Sequence, residues 1–575
     1  MRRLILVLLA GVALGGAACS STNEPAIAAS GQSGLTGVVT STKEGAMEGV
    51  LVSAKLGTVT TTVVTNKEGR YLFPPGRLAP GRYEMKIRAI GYDLADTAPV
   101  DVPASGSATR NLTLVETKDQ AKQMMNAEWM ASWPGTDGDK QFAINCNHCH
   151  SFEITAKTGY KAEDWVRVLD RMNYANGASI QHPFRNPYHP EYAKYWGEYA
   201  SQVPQTTLPK GSDEEGTVAV SPQRAKQSAY LASINLSQDP RPGAWKYELQ
   251  KYARPTGEET RVIMTQYDLP RSESQPHDAM VDPDGMVWYL DFNNNYFGRL
   301  DPRTGQVKEW EIPAVKPFPP FGPGGLDVKI DPEGNPWFAM MRQNVIIKFD
   351  KKTQKMTMWH TPKEQNTIHN RITMLTTPTA DGKVWWVTVG SSPTAWVHGL
   401  DQKTGEIKSI HVPAFIYGLE ATPDGNLVFF SLAGGVVGEV DTKTGKTTLF
   451  KPPTPNSGPR RGEVDSEGRV WFAEFRAGNI GLLDRKNGSI KEWPLGVRYA
   501  DPYDVDIDKH GNVWTAGMLT DYVFKLDPST GTVTKYLAPT VNMNVRRIVV
   551  DKADKPSVWI GENHHGRILK VEPLE

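Results

Sequence analysis

Apolar and polar residues alternate at period two over most of this chain, and they do so in two different rhythms. Between Thr36 and Leu114 the alternation runs through positions such as Tyr83, Met85, Ile87 and Ala89, with turn signals at Lys67-Glu68-Gly69 and Ala79-Pro80-Gly81. That pattern predicts a small antiparallel β-sandwich over 33–116. A repeat sets in further on. Asp284-Gly285-Met286-Val287-Trp288 recurs as Glu333-Gly334-Asn335-Pro336-Trp337, Asp381-Gly382-Lys383-Val384-Trp385, Asp424-Gly425-Asn426-Leu427-Val428, Glu467-Gly468-Arg469-Val470-Trp471 and His510-Gly511-Asn512-Val513-Trp514, and Trp559 marks a seventh copy. Equivalent positions lie 49, 48, 43, 43, 43 and 45 residues apart, the length of a four-stranded propeller blade. A second turn signal follows each marker, at Asp301 to Gly305, Asp401 to Gly405, Asp441 to Gly445, Asp484 to Gly488 and Asp527 to Gly531, with a degenerate copy at Asp350 to Gln354. The seventh repeat runs out after Val571, whereas Arg261 to Pro270 has an outer-strand pattern with no blade before it. A seven-bladed β-propeller over 245–575, its last blade completed by that early strand, removes the free sheet edges.

Between the two β regions the period becomes helical. Trp165, Val168, Leu169 and Met172 form one stripe, and Ser221-Pro222 supplies a cap and a first-turn proline ahead of Tyr230, Leu231 and Ile234. The expected fold class is therefore multidomain: a small β-sandwich, an all-α unit over 117–240 and a seven-bladed β-propeller.

Composition sharpens this picture. With 52 Gly, 42 Pro and 16 Trp in 575 residues, turn-rich β structure is the natural outcome. Lys and Arg balance Asp and Glu at 64 each, leaving no basic surface for nucleic acid. Three cysteines cannot build a disulfide framework. Arg2 and Arg3 precede an apolar run from Leu4 to Leu14 that gives way to small residues ending at Cys19, an export signal too short to span a bilayer as a mature helix. Gly15-Gly16-Ala17-Ala18-Cys19 resembles a bacterial lipobox, although Gly16 stands where such boxes usually carry Leu. The resemblance implies lipidation at Cys19 and a tether over Ser20 to Gln32; the other reading is an ordinary secretory signal cleaved nearby. Either way the mature chain is expected in the periplasm or cell envelope, touching the membrane through a lipid anchor only.

Cys146-Asn147-His148-Cys149-His150 is the C-x-x-C-H signature of haem attachment, in which two thiols take the vinyl groups and the following His ligates the iron. Zinc would need two further ligands at comparable spacing. The expected cofactor is one covalent haem c on Cys146 and Cys149, with His150 as one axial ligand and Met172 as the other; His182 and His189 compete with Met172. Arg171-Met172 and Tyr230-Leu231 resemble a small class of monohaem cytochrome c domains, over roughly 118–236.

The stretches Gly37-Val38-Val39, Gly49-Val50-Leu51-Val52, Thr65-Asn66-Lys67-Glu68-Gly69-Arg70-Tyr71 and Arg88-Ala89-Ile90-Gly91-Tyr92 resemble the carboxypeptidase regulatory-like family, which implies a β-sandwich with no chemistry of its own. Trp471-Phe472-Ala473-Glu474 and Asn479-Ile480-Gly481 resemble the streptogramin lyase (virginiamycin B lyase) family. That resemblance implies opening of a cyclic depsipeptide by elimination, with a His base beside Mg²⁺ and a Glu-x-His element at the start of an inner strand. Here Gln275-Pro276-His277 stands at that place, and Gln for Glu removes a hard anionic ligand for Mg²⁺; Glu562-Asn563-His564 has the same letters at a different strand end. On the propeller face where inner strands begin, the candidate rim residues are His277, Asp291, Arg371, Tyr417, Arg460, Arg461, Glu474, Tyr503, Arg546, Glu562 and His564, a set suited to a small polar ligand. The expected function is an exported c-type cytochrome and oxidoreductase that passes electrons to an unidentified redox partner while the propeller binds a substrate or that partner. The alternative is a streptogramin lyase-like carbon–oxygen lyase, or a non-catalytic binding propeller, with a separate haem role.

Overall fold

The computed structural model describes residues 33–148, 150–174, 221–235, 245–315, 323–366, 370–379, 382–390 and 393–574. In the first of these, Ser33–Ser41 pairs antiparallel with Arg70–Phe73 and parallel with Leu112–Glu116. Leu51–Leu56 pairs with Val59–Val64 on one side and Gly81–Arg88 on the other. Alternation along Gly81–Arg88 buries Tyr83 and Met85 and exposes Glu84 and Lys86, and Val39, Val52, Tyr71, Phe73 and Leu114 complete the apolar layer between the two sheets.

This sandwich does not end at its own edge. Val59–Val64 also pairs with Val262–Asp268, from Ile263 opposite Val63 to Tyr267 opposite Val59. The far side of Val262–Asp268 pairs with Arg567–Pro573. One eight-stranded sheet therefore runs from the last blade of the propeller into the sandwich. Because successive strand residues face opposite sides, Ile263 joins the sandwich core while its neighbour Met264 joins the propeller core, as do Leu51 and Val64. The strand that closes the ring would otherwise expose its outer edge, and the sandwich covers it.

Six four-stranded antiparallel sheets follow: blades 1 to 6 over 276–311, 325–360, 371–412, 418–450, 459–494 and 502–537. Blade 7 consists of Val545–Val550, Val558–Glu562 and Arg567–Pro573 with Val262–Asp268 outermost. The inner strand of blade 1, Pro276–Val281, packs between those of blades 2 and 7 and closes the ring. Four of the repeats, those of blades 1, 2, 5 and 6, work through an aspartate just upstream of the marker read from the sequence. Asp282 accepts from the amides of Asp284 and Met286 through Oδ1, and from the Trp288 indole at 2.8 Å through Oδ2. Asp331, Asp465 and Asp508 hold Trp337, Trp471 and Trp514 in the same way. The turn needs its glycine, as at Gly285 with φ 76°. Replacing Asp508 with Ala leaves the Trp514 N–H, the Asn512 amide and the His510 amide without their acceptor. We expect a loss of about 1–3 kcal/mol, seen as a lower urea midpoint for the blade signal of Trp514 fluorescence.

The expected all-α cytochrome domain is corrected. The described helices are α1 Asn126–Ser132, α2 Asp137–Lys140, α3 Phe152–Ala156, α4 Ala162–Tyr174 and α5 Pro222–Ile234, and three of the five are two turns or shorter. Their apolar faces do not close on themselves. Trp129, Trp133, Phe152 and Leu231 share one core with Phe475, Tyr503, Met518 and Leu519 of the propeller. The backbone amide of Ala127 donates to the Leu519 carbonyl at 2.8 Å, Asn147 donates to the Met518 carbonyl at 3.1 Å, and Asn544 donates to the Asn147 carbonyl at 2.9 Å. A segment that places its buried tryptophans on another unit's loops is not a domain with its own core. Among the described residues no helix is long and apolar enough to cross a membrane.

Candidate functional site

The inner strands of blades 1, 2, 3, 5, 6 and 7 carry a register shift near their start, between Pro276 and Asp278, Gly325 and Asp327, Ile372 and Met374, Pro459 and Gly462, Pro502 and Val505, and Val545 and Ile548. A bulge re-aims consecutive side chains that a regular strand would send to opposite faces. Here both members of His277-Asp278, Arg460-Arg461, Tyr503-Asp504 and Arg546-Arg547 are buried in one polar cluster around the propeller axis.

The deeper layer is an ion network. Asp278 Oδ2 lies 3.3 Å from Arg461 and 3.1 Å from Arg547, Arg547 also pairs with Asp327, and Asp504 sits 3.6 Å from Arg547. Burial disfavours the charged form of Asp278, but Arg461, His277 and Arg547 outweigh it and hold that carboxyl well below the usual range. Asp504, with less compensation from Arg547 and Arg461, is pushed by burial up to about 7.

The outer layer carries the reactive groups. His277 Nδ1 lies 2.6 Å from Asp278 Oδ1. Because Asp278 is ionised it can only accept, so Nδ1 carries the proton and Nε2 the lone pair. Burial brings His277 down to about 4, against the upward pull of Asp278, so the imidazole is neutral at pH 7. Its Nε2 is 3.5 Å from the Tyr503 hydroxyl, which hydrogen-bonds the Tyr417 hydroxyl. Burial works to raise Tyr417, and Arg460 and Arg461 overcome it and lower that phenol to about 8. A neutral imidazole oriented by a carboxylate, beside an acidified phenol and guanidiniums, can take a proton from carbon and stabilise charge that develops nearby.

Six of the residues expected on the rim converge here: His277, Tyr417, Arg460, Arg461, Tyr503 and Arg546. The others do not. Arg371 stands exposed at the start of the blade 3 inner strand. Asp291 fixes its own loop by accepting from the amides of Gln275, Asn293 and Asn294. Glu474 accepts from Asn479 at 2.9 Å, and burial pushes it up to about 7. Glu562 bonds Gln266, and His564 lines a separate cleft of 550 Å³ between blade 7, the sandwich and the segment after the cysteine motif, shared with His150, Gln266, Asn542 and His565. Nor is the cluster an open rim, since α1 and the cysteine-motif segment cover it. Reading residues one at a time missed Asp278 and Arg547, although the doubled polar residues at the start of four inner strands were a visible signal.

Cys146 is half-buried at the margin of the shared core, and His150 Nδ1 bonds the Ser151 carbonyl at 2.8 Å. Cys149, His182, His189, Cys19 and the Met172 side chain lie outside the described residues. Among the described residues, no group of three or more His, Cys, Asp or Glu side chains is placed to hold a metal ion.

Residues 324–571 match the virginiamycin B lyase family and residues 34–115 the carboxypeptidase regulatory-like domain. No curated protein matches the chain. Among solved structures, a streptogramin B lyase is 21% identical over 55% of this chain and 99% of its own, with a TM-score of 0.48. The selenomethionine-substituted virginiamycin B lyase from Staphylococcus aureus is 19% identical over 54% and 99%, TM-score 0.47. A catalytically inactive variant of the virginiamycin B lyase from Staphylococcus aureus, with quinupristin, is 20% identical over the same shares, TM-score 0.47. These family matches fall on the sandwich and propeller, and the helices between share the propeller's core. The expected identity as a c-type cytochrome, with electron-transfer oxidoreductase activity ahead of lyase activity, is corrected accordingly. The chain joins a carboxypeptidase regulatory-like domain to a virginiamycin B lyase-like domain.

Proposed function

We propose that the propeller is a carbon–oxygen lyase that opens an ester by elimination. His277 Nε2 takes a proton from the carbon next to the one bearing the ester oxygen. The C–H electron pair becomes a carbon–carbon double bond, the C–O bond breaks, and its electron pair leaves on a carboxylate. The observation that carries this reading is the neutral, Asp278-oriented His277 facing the Tyr503–Tyr417 pair. The family match adds support, although its span of 324–571 includes Tyr417, Arg460, Tyr503 and Arg546 and not His277. Cyclic depsipeptides such as quinupristin, named with a similar structure, are the first substrates to try. Elimination opens the ring without change of mass and hydrolysis adds one water, so mass spectrometry of the product tests the reaction, and absence of an unsaturated linear product removes it.

The Mg²⁺ that the family resemblance implies does not fit this face. Gln275 is neutral, the carboxylate beside His277 is already held by Arg461 and Arg547, and Arg460 and Arg546 add further positive charge. A hard divalent cation wants free anionic oxygens, so no step here runs through one.

We propose haem c separately, as a cofactor that Cys146 and Cys149 would hold covalently and that His150, with one of Met172, His182 and His189, would ligate. The Ser151 carbonyl engages His150 Nδ1, which leaves Nε2 as the ligating nitrogen. Bound haem would supply one-electron chemistry, and the elimination uses none of it. Intact mass of exported protein is expected to show one added haem, lost when both cysteines are changed to Ala; two unmodified thiols would remove the proposal. Export and lipidation at Cys19 belong to the same proposal about where the chain matures.

A further inference from the structure

Four guanidiniums are buried around the axis, with Arg460, Arg461, Arg546 and Arg547 between 0% and 6% exposed. Two are matched by carboxylates: Arg461 by Asp278, and Arg547 by Asp278 and Asp327. Arg460 is different. Its Nη2 reaches the Tyr417 hydroxyl at 3.4 Å and its Nη1 the Met518 sulfur at 4.0 Å, while Nε has no hydrogen-bond partner. Among the described residues no carboxylate oxygen comes within 4.0 Å of it. Asp501, the carboxyl group that feels Arg460, is pushed by burial up to about 7, so it carries only part of a negative charge at neutral pH.

A buried cation without a counter-charge is costly, and this one is held in place. The Arg460 guanidinium lies 3.7 Å from the Tyr503 ring centroid and 4.2 Å from that of Phe475, which fixes the plane of the fork. A fixed, planar guanidinium with an unengaged Nε matches the two oxygens of a carboxylate.

We propose that Arg460 anchors a carboxylate-binding subsite, which receives the carboxylate set free when the ester C–O bond breaks. The source of that carboxylate rests on the lyase reading; the binding itself does not. Tyr417, hydrogen-bonded to the same guanidinium, is the neighbouring group able to donate to the carboxylate's second oxygen.

The test is calorimetric titration of the full-length protein at pH 7 with benzoate, and in parallel with benzamide, its neutral counterpart. Benzoate is expected to bind saturably at one site, with benzamide about tenfold weaker or more. Arg460→Met should abolish benzoate binding, and Arg460→Lys, which keeps the charge but loses the fork, should weaken it. The comparison of the two ligands on the unaltered chain stands even if a variant fails to fold. Equal binding of benzoate and benzamide, or no binding of benzoate at millimolar concentration, overturns the subsite. A chain that binds benzoate selectively but opens no ester keeps the subsite and loses the lyase reading. A chain that opens an ester and is indifferent to benzoate does the reverse.

Discussion

Replacing His277 with Ala is expected to lower the rate of ester opening by about 10²–10⁴, the usual worth of a positioned general base. The direction follows from what surrounds the imidazole. Asp278 holds Nδ1, Phe292 stacks 5.4 Å from the ring, and Tyr503 stands at Nε2, so the lone pair has one orientation and no protein group replaces it when the ring is removed. The pH dependence gives a second, independent reading. His277 is a base only when neutral, and burial has brought it to about 4. The rate of the unaltered chain should therefore be flat from about pH 5 to 7 and fall about tenfold per pH unit below 4. On the alkaline side the proton on Tyr417 is lost near 8, and a phenolate beside the leaving carboxylate repels it, so the rate should decline above that point. A rate in His277→Ala within about twofold of the parent, or a limb near the unperturbed histidine value of about 6.5, would take the base role away from this residue.

How far this arrangement was legible in the sequence depends on whether the signal was local. The blades were readable because most share one turn: a glycine at positive φ in six of them and, in four, a tryptophan whose indole returns to the turn. Those requirements recur every 43 to 49 residues. The strand Val262–Asp268 was readable as the missing edge for a similar reason. Its other edge was not, because backbone pairing with Val59–Val64 leaves no mark in side-chain alternation. The helical stripe with Trp165, Val168 and Leu169 showed that a face is buried, but a stripe does not say against what. In the folded chain, Trp129 and Trp133 share a core with Phe475, Met518 and Leu519 across several hundred residues of sequence, and an expectation of a separate all-α domain had nothing local to correct it. The site divides along the same line. Polar residues at the start of inner strands were visible, whereas where each bulge falls, at Arg460-Arg461 and Arg546-Arg547 but only after Arg371 in blade 3, is a property of backbone register.

Asp521→Ala is expected to be the most destabilising single change, because Asp521 joins the sandwich to the propeller through a buried ion pair. Its Oδ2 lies 2.7 Å from the Arg88 guanidinium, with side chains 1% and 10% exposed. The same carboxylate accepts from the amides of Asn542 at 2.9 Å and Met543 at 3.0 Å. Arg88 Nη1 also donates to the carbonyls of Ala538 and Thr540, which hold the guanidinium in this buried position. Removing the carboxylate strands a buried cation and two buried amides, and breaking such a pair from one side costs about 3–5 kcal/mol. Asp521→Asn keeps an acceptor for the amides and should lose less. The double change Arg88→Met with Asp521→Asn removes the unpaired charge and should recover part of the loss. Urea unfolding of the three variants measures this directly. Equal midpoints for Asp521→Ala and the parent would mean that the shared sheet of Val59–Val64 and Val262–Asp268 holds the two units together without this ion pair.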